Sequence, residues 1–204
     1  MPATIGVLSF QGSVAEHMAA LAALHDVRAL EVRSSGALAA LDGLILPGGE
    51  STTIARLMRL FGVLEPLRAR IREGMPVWGT CAGMILLARE IEGEQAHLGV
   101  MDIAVRRNAY GRQIDSFAQK AMIPAFSAQP VPLVFIRAPW IERAGADVRI
   151  LCTVDGHIVA AEERNMLATS FHPELTEERS VHAYFADKAV SYTHLRAHET
   201  EADL

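Results

Sequence analysis

The chain has 204 residues, half of them apolar, and a formal net charge of −5. This length suits one domain with a substantial core, and no apolar run is long enough to span a membrane. The acidic balance, without a Lys/Arg cluster, argues against nucleic acid as the main partner. Residues 1–4 lack the basic and apolar regions of a secretory signal, and the chain has two cysteines in unlike contexts. We therefore expect a cytoplasmic protein with reduced thiols.

The first half of the chain alternates apolar runs typical of buried strands with amphipathic runs typical of helices. Strands are predicted over residues 4–10, 27–32, 42–47 and from 77 into a turn at 81, and helices over residues 13–24, 51–61, 64–73 and from that turn to 91. Ser13 and Glu16 have the spacing of a capping box at the first helix. The alternation predicts a three-layer, doubly wound α/β fold with a mostly parallel sheet.

The second half carries strand patterns without long helices between them, which predicts an additional antiparallel section. The strands are predicted over residues 97–105, 112–118, 133–136, 148–154, 157–161 and 167–171, and a last helix follows a cap at Thr176. Residues 1–190 are predicted to form one domain. Residues 191–204 are polar and lack a sustained apolar face, so we interpret them as a tail that is either disordered or foreign to the native sequence. No metal site is predicted, since the tail histidines His194 and His198 lack a third ligand.

A cysteine between two glycines marks the end of the fourth predicted strand. The segment Gly79-Thr80-Cys81-Ala82-Gly83 follows an apolar run and precedes a helical pattern, which is the arrangement of a nucleophile elbow. The glycines permit a tight turn and a close approach of the backbone to a substrate. A lone cysteine is more often core packing, and Cys152 on its strand is interpreted in that way. For Cys81 the glycines, together with a histidine and a carboxylate further along, favour a nucleophile.

Three segments at the carboxyl ends of predicted strands are expected to meet at one edge of the sheet. They are Cys81, His172-Pro173-Glu174 and Gly48-Gly49. Proline keeps His172 out of the helical region, so Glu174, two residues along an extended segment, is expected beside the imidazole. The three groups then form a nucleophile, a base and an orienting carboxylate, and the N–H groups of Gly49 and Ala82 are candidates for an oxyanion site. Each segment alone has a structural explanation, whereas the combination indicates catalysis.

These residues resemble the class I, triad-type glutamine amidotransferases, which have a flavodoxin-like fold. Further stretches resemble the glutaminase subunits of pyridoxal 5′-phosphate synthases within that family. They are Gly6-Val7-Leu8, Gln11-Gly12, Glu16-His17, residues 46–53, Arg107-Asn108, Gly111-Arg112-Gln113, Asp115-Ser116-Phe117, residues 135–139 and residues 170–176. The similarity covers nearly everything from Thr4 to Ala189.

The resemblance implies an enzyme that hydrolyses L-glutamine to L-glutamate and ammonia with Cys81, His172 and Glu174 and without a cofactor. It implies that Gly48, Gly49, Glu50, Arg107, Ile136 and Arg137 hold glutamine. It also implies a hetero-oligomeric complex with a synthase (lyase) subunit that receives the ammonia. Gln11, Glu16 and His17 are candidates for that interface.

Two other functions stay open at this point. One is a cysteine-elbow α/β protein of the peptidase or stress-response type, without an ammonia-receiving partner. Such proteins place the histidine differently and lack the Phe135-Ile136-Arg137-Ala138-Pro139 block. The other is a non-catalytic regulatory module on the amidotransferase fold, which the complete set of triad residues argues against.

Overall fold

The computed structural model describes residues 2–107 and 116–202, with side chains up to residue 193. The strands are β1 Ala3–Leu8, β2 Val27–Val32, β3 Gly43–Leu46, β4 Val77–Thr80, β5 Ala88–Ile91, β6 Met101–Arg106, β7 Ser116–Ala121, β8 Val131–Ile136, β9 Trp140–Ala144, β10 Arg149–Val154, β11 His157–Glu163 and β12 Met166–Thr169. The α-helices are α1 Val14–Ala22, α2 Ser51–Leu60, α3 Leu64–Arg72, α4 Ala82–Leu87 and α5 Ser180–Ala202. Short 3-10 helices cover Ser35–Ala40 and Pro173–Leu175.

One large sheet, in the order β2-β1-β3-β4-β12-β11-β9-β6-β5, forms the middle of the molecule. The first five strands in this order pair in parallel. From β12 onward the pairing is antiparallel until β6, which pairs in parallel with β5. β10 pairs with β11 outside this order, and β7 and β8 form a separate hairpin. The predicted mostly parallel sheet with an antiparallel section is confirmed.

Alternate residues of the central strands enter two separate hydrophobic clusters, one on each face of the sheet. Ile45 and Trp78 join the cluster that contains Leu21 of α1 and Phe185 of α5. Their neighbours Leu44, Leu46 and Val77 join the cluster that contains apolar residues of α2, α3 and α4. Helices therefore cover both faces, and the predicted three-layer arrangement is confirmed.

Two parts of the predicted secondary structure are wrong. The helix after the elbow ends at Leu87, because Ala88–Ile91 pairs with β6 as a strand. Residues 97–100 do not begin β6: the carbonyl groups of His97 and Leu98 accept hydrogen bonds from the Arg68 guanidinium instead. In addition, β9 has no counterpart among the predicted strands.

Two other predicted segments extend beyond what the structure tests. Of the predicted strand over 112–118, residues 112–115 lie outside the described residues, and β7 begins at Ser116. Helix α5 runs to Ala202 and includes most of the segment interpreted as a tail. The division of the chain at residue 190 stays a prediction. Over the ranges that the structure describes, no helix is both long and apolar enough to cross a membrane.

Candidate active site

Cys81 lies in the tight turn that joins β4 to α4. Its backbone has φ 50° and ψ −104°, a conformation that non-glycine residues rarely adopt and that costs about 1–3 kcal/mol where the fold imposes it. Its N–H group donates to the carbonyl of Thr169 on β12 at 2.8 Å. A Cβ atom on Gly79 would lie 2.3 Å from the Gly83 oxygen, and one on Gly83 would lie 2.0 Å from the Leu46 oxygen. Only glycine fits on either side of this cysteine, as the elbow pattern predicted.

His172 lies against the elbow and against the loop after β3. Its backbone N–H donates to the Val134 carbonyl of β8 at 2.8 Å, which ties it to the β7–β8 hairpin. A Cβ on Gly48 would lie 2.5 Å from Cε1 of His172 and 3.5 Å from Cβ of Cys81. The missing side chain at Gly48 therefore makes room for the imidazole beside the cysteine.

The His172 ring bonds Glu174 and shares a cavity with Cys81. Nδ1 of His172 lies 2.7 Å from Oε1 of Glu174, which leaves Nε2 available to Cys81, and the ring and the cysteine line the same cavity. Burial alone lowers the pKa of His172, but the bonds to Cys81 and Glu174 outweigh it and raise the pKa to about 10. The imidazole is therefore protonated at neutral pH, which is the form that can donate a proton to a leaving group.

Glu174 is held as a carboxylate although its side chain is fully buried. Burial raises its pKa, while His17, the His172 ring and a 2.7 Å hydrogen bond from the Ser13 hydroxyl to Oε1 lower it to about 2. The structure thus joins sulfur, imidazole and carboxylate in one chain of contacts, in the predicted order.

Two local explanations offered for this geometry are wrong. His172 is outside the helical region (φ −110°, ψ 84°), as proline requires, but Pro173–Leu175 forms a 3-10 turn rather than an extended segment. That turn, not strand alternation, brings the Glu174 carboxylate back to the ring. Ser13 does not cap α1, because its hydroxyl donates to Glu174 instead.

The proposed glutamine-holding residues line one continuous cleft at the carboxyl edge of the parallel strands. A cavity of about 260 Å³ and an adjoining one of about 50 Å³ share Gly49, Glu50, Cys81, Ile136 and Arg137. The first also contacts Gly48 and His172, and the second contacts Ala82 and Arg107. The structure brings together every predicted substrate-binding and oxyanion residue, while Glu174 lies behind His172.

Arg107 is held at the cleft by acidic partners. Its guanidinium donates to Glu94 at 2.5 Å and lies 4.0 Å from Glu50. The other oxygen of Glu94 contacts Nε2 of His97 at 3.0 Å. Arg137, across the cleft, has φ 42°, a strained value for a non-glycine residue. Two guanidinium groups and one carboxylate therefore face a common space, which suits the α-carboxylate and α-ammonium of an amino acid.

The candidate oxyanion donors, Gly49 and Ala82, line the same cavity as Cys81. Ala82 is the first residue of α4, where backbone N–H groups have no acceptor within the helix. Gly49 shares a peptide unit with the carbonyl of Gly48, which accepts a 3.1 Å hydrogen bond from the N–H of Ser13. Since the N–H of a trans peptide points away from its carbonyl, the Gly49 N–H points away from Ser13.

The residues predicted for a partner interface separate into two groups. Gln11 and Glu16 are exposed, and the Gln11 side chain also accepts a 2.8 Å hydrogen bond from the N–H of Glu50. His17 is completely buried. Placing His17 on a surface is therefore wrong, because it lies on the inward face of α1.

Some residues of the site could not be found from local sequence. Ser13 holds Glu174, Gln11 holds the loop after β3, Glu94 holds Arg107, and the Ser51 hydroxyl lies buried in the cleft without a partner among the described residues. Ser13 and Gln11 each bond a residue distant in sequence. The signal available for them was a polar residue directly after a strand at the active edge.

A larger cavity does not coincide with these groups. It measures about 510 Å³ and lies at the opposite edge of the sheet, where Gly74, Asn165 and Met166 precede or begin β4 and β12. None of the candidate catalytic or substrate-binding residues lines it. Over the described residues, no cluster of three or more His, Cys, Asp or Glu side chains is arranged to hold a metal ion.

Comparison with known proteins connects this geometry to a family. Residues 7–191 match the profile of the SNO glutamine amidotransferase family. The chain is 55% identical over 186 residues to the pyridoxal 5′-phosphate synthase subunit PdxT of Streptomyces coelicolor, covering 90% of this chain and 92% of that one. It is 54% identical over 182 residues to PdxT of Clostridium acetobutylicum, covering 89% and 97% of the two chains.

Solved structures agree with the sequence matches. A crystal structure of a glutamine amidotransferase superposes with a TM-score of 0.85 at 44% identity and covers 91% of this chain and 98% of its own. PurLQS from Thermotoga maritima superposes with a TM-score of 0.65 at 17% identity, covering 94% of this chain and 97% of that one. The second likeness concerns the fold alone.

Proposed function

This chain belongs to the SNO glutamine amidotransferase family, and we propose that it hydrolyses L-glutamine to L-glutamate and ammonia and supplies the ammonia to a pyridoxal 5′-phosphate synthase subunit. One observation carries the proposal at the level of the site. Cys81, at a strained turn in the cleft, lies beside the His172 ring above Gly48, and a buried Glu174 carboxylate holds that ring from behind. This is the nucleophile–base–orienter arrangement of acyl-transfer enzymes.

In the proposed first step, the Cys81 sulfur attacks the carboxamide carbon of glutamine. The carbonyl oxygen becomes an oxyanion that the N–H groups of Gly49 and Ala82 stabilise. The tetrahedral intermediate collapses when protonated His172 gives its proton to the departing nitrogen. Ammonia leaves, and the glutamyl group stays on the sulfur as a thioester.

Hydrolysis of the thioester returns the enzyme to its starting state. The now neutral His172 takes a proton from water, and the resulting hydroxide attacks the thioester carbonyl. The carbon–sulfur bond breaks and glutamate is released, with the proton back on the imidazole. Throughout, Glu174 holds Nδ1 so that Nε2 faces the sulfur and the water.

Substrate recognition is assigned to the charged residues of the cleft. We infer that Arg107 and Arg137 bind the α-carboxylate, that Glu50 binds the α-ammonium, and that backbone groups at Gly48, Gly49 and Ile136 position the side-chain amide. The support is their shared cleft and the match between their charges and those of an amino acid.

The ammonia-receiving partner and the compartment are part of the same proposal. The PdxT relatives are named as subunits of pyridoxal 5′-phosphate synthase, so we propose a hetero-oligomeric complex in which this chain is the glutaminase and the other subunit carries the lyase chemistry. We place the complex in the cytoplasm. The exposed Gln11, which lines the cleft, and the exposed Glu16 of α1 are candidates for the contact surface.

A paired cysteine experiment tests the proposal. Cys81→Ala is expected to lower glutaminase turnover by at least about 1,000-fold, measured as glutamate release by the complex with the synthase subunit. Cys152→Ala is the matched control, because Cys152 is equally buried but lies on β10 away from the cleft. Turnover near the wild-type rate in Cys81→Ala would contradict the proposal.

Two further assays separate the two alternative functions left open by the sequence. A peptidase-type protein would cleave peptides and leave glutamine intact. A regulatory module would bind the synthase subunit without reacting with a glutamine-mimicking alkylator. We expect that reagent to label Cys81 and to leave Cys152 unmodified.

A further inference from the structure

Two histidines lie buried behind the Glu174 carboxylate, on the side away from the cleft. His17 of α1 and His182 of α5 are both fully buried. Nδ1 of His17 lies 3.0 Å from Nε2 of His182. Nε2 of His17 lies 3.2 Å from Oγ1 of Thr80 and 3.5 Å from Oε2 of Glu174. None of these groups except Glu174 has a part in the proposed reaction.

The two oxygens of Glu174 have different surroundings. Oε1 accepts hydrogen bonds from His172 and Ser13, both at 2.7 Å. Oε2 is buried and has no hydrogen-bond partner within the part of the chain that the structure describes. The His17 ring faces it at a distance just beyond an ordinary hydrogen bond. The rotation of the Glu174 carboxylate about its Cγ–Cδ bond therefore depends on whether Nε2 of His17 presents a proton or a lone pair to Oε2.

Hydrogen bonding selects one tautomer for the pair. If His17 carried its proton on Nδ1, that proton would go to Nε2 of His182, and His182 would bury an N–H at Nδ1 with no acceptor among the described residues. The lone pair at Nε2 of His17 would then face an anionic oxygen. With both protons on Nε2, His182 donates to His17 and the His17 N–H points toward Glu174 and Thr80. The second arrangement leaves no unpaired buried donor, so it is favoured.

Burial keeps the pair uncharged. It lowers the pKa of His17, although the charge of Glu174 raises it. It lowers the pKa of His182 to about 3, and a proton on His17 would act in the same direction. At neutral pH the pair therefore offers Glu174 a directed N–H dipole rather than a positive charge.

We propose that His17 is a positioning residue whose Nε2–H, fixed by His182, holds Oε2 of Glu174 so that Oε1 stays on Nδ1 of His172. This inference rests on the proposed function, since it assigns Glu174 to the orientation of His172. His17 does not line either cavity of the cleft. Its loss should therefore lower kcat and leave the KM for glutamine unchanged.

Two substitutions separate positioning from packing. The amide nitrogen of glutamine can occupy the place of Nε2 in histidine, whereas that of asparagine corresponds to Nδ1. In the complex with the synthase subunit, His17→Asn is expected to lower kcat about 10- to 100-fold, since a hydrogen bond to a charged group is lost. His17→Gln is expected to stay within about threefold of wild type by retaining that donor. Equal activity of the two variants at equal thermal stability would overturn the proposal.

The pH dependence of the variants gives a second measurement, which a loss of packing at His17 alone would not change. Glu174 is faced by His172 and His17, with His182 behind His17, and Glu16 and Arg179 act on the two histidines through their charge. A less firmly held carboxylate stabilises protonated His172 less. The alkaline limb of the kcat profile for glutamate release, set by proton loss from His172, should therefore move down by about one pH unit in His17→Asn and not in His17→Gln. An unchanged limb in both variants would contradict positioning.

The wild-type protein provides a test that needs no variant to fold. Nitrogen-15 NMR distinguishes protonated from unprotonated ring nitrogens, and we expect protons on Nε2 of both His17 and His182. A proton on Nδ1 of His17 would overturn the inference while leaving the proposed glutaminase function intact. Conversely, full glutaminase activity in Cys81→Ala would refute that function while leaving the tautomer result standing.

Discussion

The space above Gly48 is filled by the imidazole of His172. A Cβ atom at position 48 would lie 2.5 Å from Cε1 of that ring, closer than real side chains approach one another. The ring cannot retreat freely, because Nδ1 is bonded to Glu174 and the backbone N–H to Val134. The loop after β3 and the His172 ring after β12 are therefore fitted to each other.

Gly48→Ala is expected to lower kcat/KM for glutamine about 100-fold, because the ring must shift by a substantial fraction of an ångström. Gly36→Ala is the matched control, since a Cβ there meets no atom within 4 Å. The measurement is glutamate release by the complex, with thermal unfolding followed in parallel. Comparable activity in the two variants would show that the ring tolerates the extra carbon.

The His182 ring should make stability sensitive to mild acid. Its pKa of about 3 in the folded protein lies below the ordinary value of 6.5, so between these values the unfolded chain binds a proton that the folded protein does not. Stability falls as the pH drops through this window, by about 2 kcal/mol at pH 5 for this group. Urea titrations between pH 8 and pH 5 should show a shallower loss in His182→Gln than in wild type. His25→Gln, at an exposed position, serves as control, and parallel slopes for all three proteins would exclude the effect.

His172 should oppose this trend at alkaline pH. Its folded pKa of about 10 lies above the ordinary 6.5, so its contribution is complete below pH 6.5 and is lost as the pH rises through 10. The combined profile predicts greatest stability near neutral pH, with the alkaline loss reduced in His172→Gln. Urea titrations from pH 7 to pH 10.5 measure it. An identical alkaline loss in this variant would assign that loss to other groups.

Glu94→Gln is expected to raise the KM for glutamine about 10-fold with little change in kcat, because Arg107 loses the charged partner that orients it. Glu92→Gln offers a matched control. Glu92 forms a comparable ion pair with Arg106 on the same connection, but both side chains are about half exposed and face away from the cleft. Equal KM values in both variants would show that Arg107 needs no orienting partner.

Ser51→Ala tests the buried hydroxyl in the cleft. Its oxygen has no partner among the described residues, so removing it should leave the stability of the free protein unchanged or slightly higher. The KM for glutamine should rise about 2- to 10-fold if the hydroxyl bonds the bound substrate. Kinetic assays and thermal unfolding measure the two effects separately, and an unchanged KM would remove Ser51 from the substrate site.

Local sequence patterns were sufficient for the parallel half of the fold and for the elbow. Glycines around Cys81 and a proline after His172 restrict the backbone within a few residues. Their effect on the local conformation can therefore be inferred from the sequence without knowing the tertiary contacts. The segment Ala88–Ile91 was not sufficient, because its two apolar ends around a charged middle suit a helix as well as a strand. Pairing with β6 decides between the two. Likewise β9 contains Glu142 and Arg143, which face outward and hide its alternation.

The residues that hold the candidate site residues in place could not be predicted either, because their contacts join distant parts of the chain. Ser13 fits a capping box, and only the approach of Glu174, far along the chain, shows that its hydroxyl is used otherwise. His17 and His182 belong to helices at opposite ends of the chain and meet only when both pack on the same face of the sheet. Spacing rules describe neighbours in sequence, whereas these contacts depend on topology.

The insertion of β12 beside β4 has a consequence for how the enzyme is made. During synthesis on a ribosome, Cys81 emerges long before His172 and Glu174, and the backbone acceptor for its N–H, Thr169, is also still missing. A nascent chain therefore carries the Cys81 thiol before the residue proposed as its base. If the proposed residues act as assigned, glutamine breakdown begins only after β12, the last central strand, has joined the sheet.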